Sequence, residues 1–87
     1  MANSSLIETL RGTVAANRFQ IATLIESLLR SVELLSVDIE HEEARTGVRD
    51  LSEPTYPVLA RSLRSRRDNI RATLASLGAF VHASEAA

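Results

Sequence analysis

The 87-residue chain contains no cysteine, no lysine and no tryptophan. Without cysteine it can form neither a disulfide nor a thiolate metal site. A chain this short buries only a modest fraction of its surface, so domains of this size commonly gain stability from disulfides, metals or oligomerisation. The composition therefore leaves oligomerisation as the expected source of additional burial.

Aromatic residues are also scarce, because one tyrosine and two phenylalanines are the only ones present. This argues against a sheet protein and against the aromatic platforms on which single-stranded nucleic acids stack. The formal net charge of −1 provides no global attraction for nucleic acid or for an anionic membrane. All ten basic residues are arginine, which we interpret as the codon bias of a GC-rich bacterial genome.

The first residues have neither the basic region nor the continuous apolar run of a signal peptide. No apolar stretch approaches the roughly 20 residues that span a bilayer. We therefore expect a cytoplasmic protein.

A long helix is predicted in the first half of the chain. Its apolar residues recur at steps of three and four, which is the helical period. Ser4 or Ser5 can cap its start, and Gly47 stands where a left-handed residue commonly ends a helix. The pattern favours one helix over about residues 5–45. A break at Gly12 is the alternative, since glycine costs about 1 kcal/mol relative to alanine in a helix interior. The apolar stripe consists of Ile7, Leu10, Val14, Ile21, Ile25, Leu28, Val32, Leu35 and Ile39.

A turn over about residues 46–54 and a second helix over about residues 55–84 follow from the next segment. Asp50 and Glu53 have the spacing of a capping box, and Pro54 and Pro57 are tolerated only before a helix or in its first turn. The second helix should therefore start between Ser52 and Pro57. Its stripe is Tyr56, Leu59, Leu63, Ile70, Leu74, Leu77 and Val81. The predicted fold is all-α, a two-helix antiparallel hairpin in a single domain.

Helix 1 has apolar residues outside its main stripe, which indicates burial by more than one neighbour. We expect two hairpins to form a homodimeric four-helix bundle with coiled-coil-like packing. Asn17 stands within the stripe, where a buried asparagine can fix register or oligomeric state. The alternative is that helix 1 extends beyond helix 2 and Asn17 is solvated. The candidate interface residues are Phe19, Leu29, Leu34 and Val37.

The segment ARSLRSRRDNIRATL, residues 60–74, holds an arginine cluster with two interpretations. If the hairpin folds about residues 50–52, the acidic end of helix 1 lies opposite the arginine-rich turns of helix 2. Asp38 and Glu42 are therefore the expected partners of Arg61 and Arg64. Arg66 and Arg67 then need Glu33 or an acid from a second hairpin. The alternative is an arginine-lined helix face that binds RNA, DNA or an acidic protein. The cluster consists of Arg61, Arg64, Arg66, Arg67 and Arg71.

No motif indicates catalysis or a cofactor. Asp38 and His41 have the carboxylate–histidine spacing of di-iron bundles, but helix 2 offers only Asp68 among arginines, so no metal is predicted. His82 is expected on the surface, and neither a nucleophile–base set nor a glycine-rich phosphate loop is present. The sequence favours a non-enzymatic homo-oligomeric interaction module, such as an adaptor, regulator or assembly factor. A nucleic-acid-binding regulator is the alternative.

Overall fold

The computed structural model describes the backbone of residues 2–86 and the side chains of residues 5–83. Two antiparallel helices, α1 (Ala2–Thr46) and α2 (Val58–Ala86), form a hairpin with extents of 69 × 19 × 15 Å. No strand occurs among residues 2–86. The predicted all-α helical hairpin is therefore confirmed.

The first helix runs without a break through Gly12. The hydroxyls of Thr9 and Thr13 donate to the carbonyls four residues before them, at 2.9 and 3.0 Å. The helix begins at Ala2, so Ser4 and Ser5 lie inside it and do not cap it. The single helix that the pattern favoured is thus observed, whereas the alternative break at Gly12 and the serine cap are not.

The end of α1 follows the prediction from Gly47. This glycine has a φ of 73°, in the left-handed region that favours glycine. Its N–H donates to the carbonyl of Glu43 at 2.8 Å, which satisfies one of the free carbonyls at the helix end. The chain can therefore turn away directly after Thr46.

The second helix begins at Val58, later than the predicted start. The carboxylate of Asp50 accepts from the backbone N–H and the hydroxyl of Ser52, at 3.0 and 2.8 Å. These bonds lower the pKa of Asp50. They also form a turn within the connection, so Asp50 does not cap α2 and the predicted capping box is wrong. Pro57 directly precedes α2, where its missing N–H costs nothing.

The two helices pack most tightly near the connection. Ser36 bonds Arg67, and Ile21 shares a groove with Phe80, so the hairpin folds about residues 50–52, as expected. Farther from the connection, the facing side chains of both helices are only half-buried. Among the described side chains, the buried apolar core consists of Leu35, Ile39, Tyr56 and Ala60.

Candidate interaction surfaces

Three side chains close the hairpin at its connected end, and we call them the clasp: Glu43, Tyr56 and Arg64. The hydroxyl of Tyr56 donates to Oε2 of Glu43 at 3.0 Å and accepts from Nε of Arg64 at 2.7 Å. Nη2 of Arg64 donates to the same Oε2 at 3.0 Å. The carboxylate is buried, so these bonds replace the water that it loses.

The clasp also changes the acidity of its members. The hydrogen bond from Arg64 is the main reason why the pKa of Glu43 lies below its ordinary value, although burial opposes it. The bonds to Glu43 and Tyr56 raise the pKa of Arg64. Arg61 lies over the Tyr56 ring at 5.4 Å from the centroid and donates to the carbonyl of Leu51 at 3.0 Å. The connection is thus held by charge-assisted contacts.

The predicted partners of these arginines differ from the observed ones. The acidic end of α1 does meet an arginine of α2, but the acid is Glu43 and not Asp38 or Glu42. Glu42 instead pairs with Arg45 on its own helix at 2.8 Å, and this contact lowers the pKa of Glu42. The sequence did contain a signal, since Glu43 continues the four-residue steps of Leu35 and Ile39 toward α2.

Arg67 reaches across to α1 by a different route. Its Nη1 donates to the hydroxyl of Ser36 at 3.0 Å, and that hydroxyl donates to the carbonyl of Val32 at 2.8 Å. Arg67 therefore binds a serine hydroxyl and not the predicted Glu33. The prediction failed because a neutral hydroxyl can also accept a hydrogen bond from a guanidinium.

The arginine cluster does not form one surface. Arg61, Arg64 and Arg67 are engaged within the hairpin. Arg66 and Arg71 are exposed, and neither forms an ion pair with the side chains described. Arg66 lies in a groove between the helices, whereas Arg71 does not line it. Only part of the cluster is therefore available to a partner.

One face of the hairpin carries three shallow grooves in a row, and we call it the groove face. Its α1 residues follow at steps of three, four or seven, so they share one side of the helix. Exposed leucines and a phenylalanine alternate with polar residues, and charges of both signs are present. The lining residues are Asn17, Gln20, Ile21, Leu24 and Phe80 near the open end, Ser31, Leu34, Leu35, Arg66 and Ile70 in the middle, and Asp38, His41, Glu42, Leu59 and Leu63 near the connection.

The predicted interface residues point in several directions. Leu34 lines the groove face. Phe19 and Val37 are separated by about five turns and therefore share another side of α1. Leu29 is exposed as well, outside the three grooves. Asn17 is exposed at the open end of the groove face, where it lines a groove together with Phe80 of α2. The four apolar candidates thus do not belong to a single surface.

The side chains at the start of α1 are not covered by the described part of α2. Every side chain of residues 5–20 is exposed, and Ile21 is the first that is partly buried. We call residues 5–20 the overhang. Its apolar side chains share an open groove with two arginines. The groove is lined by Ile7, Leu10, Arg11, Val14, Ala15 and Arg18.

Metal-binding clusters and membrane-spanning segments are both absent from the described part of the chain. In the described part of the chain, no group of three or more His, Cys, Asp or Glu side chains is placed to hold a metal ion. Asp38 and His41 instead contribute to the groove face. Neither described helix has a segment long and apolar enough to cross a bilayer.

Compared with protein-family models, with curated proteins and with solved structures, the chain has no significant match. Its function must therefore be inferred from these surfaces.

Proposed function

We propose that the protein is a non-enzymatic helical interaction module that acts as a homodimer, with the groove faces of two hairpins packed together in a four-helix bundle. The observation that carries this proposal is the composition of the groove face. It exposes apolar side chains of both helices together with the opposite charges of Asp38 and Arg66. A face that carries both components can complement a second copy of itself.

The amount of exposed surface supports a second copy as the occupant. The single chain exposes 6696 Å², whereas a compact monomer of 9.5 kDa exposes about 5,000 Å². A stable specific interface buries about 800 Å² on each partner. The excess surface of the hairpin is therefore large enough to supply such an interface.

Charge complementarity favours a two-fold axis that runs parallel to the helices. Arg66 shares its groove with Leu35, so it stands about one helical turn from the level of Asp38. A two-fold axis parallel to the helices packs α1 against α2 of the second copy and keeps the levels, so Asp38 lies within about one turn of the partner's Arg66, and the symmetry repeats the pair. Leu34 and Ile70 then lie near the centre of the interface. Each exposed pair contributes only about 0.2–1 kcal/mol, so the charges set orientation more than affinity.

The same proposal includes a role as an adaptor, regulator or assembly factor in a bacterial cytoplasm. The arginine-only basic composition supports the bacterial source, and a chain without cysteine is compatible with a reducing compartment. RNA or DNA binding receives less support, because three of the five clustered arginines contact groups within the hairpin.

Sedimentation equilibrium of matched leucine variants tests the dimer. Leu34 on the groove face is 61% exposed and Leu29 outside it is 50% exposed, so neither substitution by glutamate should unfold the hairpin. We expect wild type and Leu29→Glu to be dimers at micromolar concentration and Leu34→Glu to be a folded monomer. A folded monomeric wild-type protein, or equal dissociation in both variants, would contradict the proposal.

A further inference from the structure

The overhang continues the surface that α1 presents to α2. Facing α2, the apolar residues of α1 include Ile21, Ile25, Leu28 and Val32, at alternating steps of four and three. The same steps taken from Ile21 toward the N-terminus reach positions 18, 14, 11 and 7. All four of these residues line the overhang groove. The overhang thus presents half of a helix–helix interface that the described part of α2 does not cover.

Arginine occupies two of these four positions, Arg11 and Arg18. In the hairpin interface proper, the corresponding places hold apolar residues such as Ile25 and Val32. Neither arginine forms an ion pair with another described side chain. A helix that covers this groove must therefore supply both apolar side chains and carboxylates.

We propose that the overhang is a docking site for an acidic amphipathic helix of a partner protein. Ile7, Leu10 and Val14 would contact the apolar side of this helix, and its carboxylates would pair with Arg11 and Arg18. The four positions from 7 to 18 extend over about 17 Å, or three helical turns. This length matches recognition in which a helix places a few anchor side chains in a groove.

A second copy of the overhang is a poor occupant of the same groove. In a parallel pair, Arg11 would face Arg11 of the second copy and Arg18 would face Arg18, so like charges would be brought together. In an antiparallel pair that covers the apolar residues, arginines of the two copies come within about one turn of each other. Glu8, the one acid of the overhang, does not line the groove. None of the residues that line the overhang groove belongs to the groove face, so this site is distinct from the groove-face dimer and does not depend on it.

Two designed helical peptides of about 17 residues, enough to cover the groove, test the proposal. Both have the same leucine stripe, and one has glutamate and the other lysine beside it. In fluorescence anisotropy we expect the acidic peptide to bind wild type at least about tenfold more tightly than the basic one. The double variant Arg11→Glu, Arg18→Glu should reverse this preference. The double variant Arg30→Glu, Arg71→Glu, which changes exposed arginines outside the groove, should retain it.

Three results would overturn the proposal: no binding of either peptide, equal binding of both, or an unchanged preference in the Arg11→Glu, Arg18→Glu variant. Vesicles of phosphatidylserine and phosphatidylcholine in equal parts provide a further arm. Binding to these vesicles that requires Arg11 and Arg18, without binding to the acidic peptide, would assign the overhang to a membrane surface and refute a protein partner. Leu34→Glu, which should disrupt the dimer, should bind the acidic peptide as tightly as wild type does. The experiments can therefore refute the groove-face dimer and the overhang docking site separately.

Discussion

The two ends of the hairpin are organised differently. Near the connection, Ile39, Tyr56 and Ala60 are buried and the clasp joins both helices. At the open end, residues 5–20 expose every side chain to solvent. Isolated helices of such length are only marginally stable in water, so the overhang should open more readily than the connected end. The difference indicates that the connected end holds the fold and leaves the open end free to bind.

Paired isoleucine truncations should give the largest contrast between the ends. Ile39 is 2% exposed and Ile7 is 48% exposed. Ile39→Ala should lower the free energy of unfolding by about 2–5 kcal/mol, because it leaves a cavity in a small core. Ile7→Ala should change it by less than about 0.5 kcal/mol. Urea denaturation at one fixed protein concentration measures both, and equal losses would show that the two ends share the stability of the fold.

Acid should weaken the connected end through Glu43. Its pKa is lowered in the folded protein from the ordinary value of 4.5, mainly by Arg64. Its contribution to stability is therefore present above pH 4.5 and is lost as the pH falls through the lower folded value. Glu42 and Asp50 also have lowered pKa values, so part of the acid sensitivity belongs to them.

Glu43→Gln isolates the contribution of the clasp. This variant should be less stable than wild type at neutral pH, and the difference should shrink as the pH falls below 4.5. Thermal melts across this pH range provide the measurement, with Glu33→Gln, an exposed acid of α1 outside the clasp, as the control. A difference between Glu43→Gln and wild type that is independent of pH would contradict the assigned role of the carboxylate.

The smallest effect is expected from the arginine on the groove face. Arg66→Ala should weaken the dimer by about 0.2–1 kcal/mol for each of two symmetric pairs, which corresponds to a dissociation constant about 2- to 30-fold higher. Arg71→Ala, outside the grooves, should leave dimerisation unchanged. Sedimentation at low and high salt measures the effect, which salt should reduce. Steeply salt-dependent RNA binding that disappears in Arg66→Ala would instead favour the nucleic-acid alternative.

The sequence was sufficient to predict the helices but not the details of their contacts. The recurrence of apolar residues at steps of three and four predicted both helices, and Gly47 predicted the end of the first. The capping-box prediction failed because the carboxylate of Asp50 bonds nearby groups of Ser52, a local competition that spacing alone does not reveal. Phe19, Leu29 and Val37 were grouped with Leu34 because all four residues lie outside the main apolar stripe of α1. The sequence does not show which side of α1 is left open by α2, so it could not tell that only Leu34 lines the groove face.

Chemical cross-linking between single-cysteine variants tests the groove-face dimer most directly, because the natural chain has no cysteine. Asp38→Cys and Arg66→Cys proteins would be mixed and treated with a short bismaleimide, which suits bundle helices about 8–10 Å apart. Mass spectrometry would distinguish the mixed product from each self-linked one, with Leu29→Cys as the background control. The dimer with its two-fold axis parallel to the helices predicts that the mixed product exceeds both self-linked products. A mixed product no more abundant than the Leu29→Cys background would contradict the dimer.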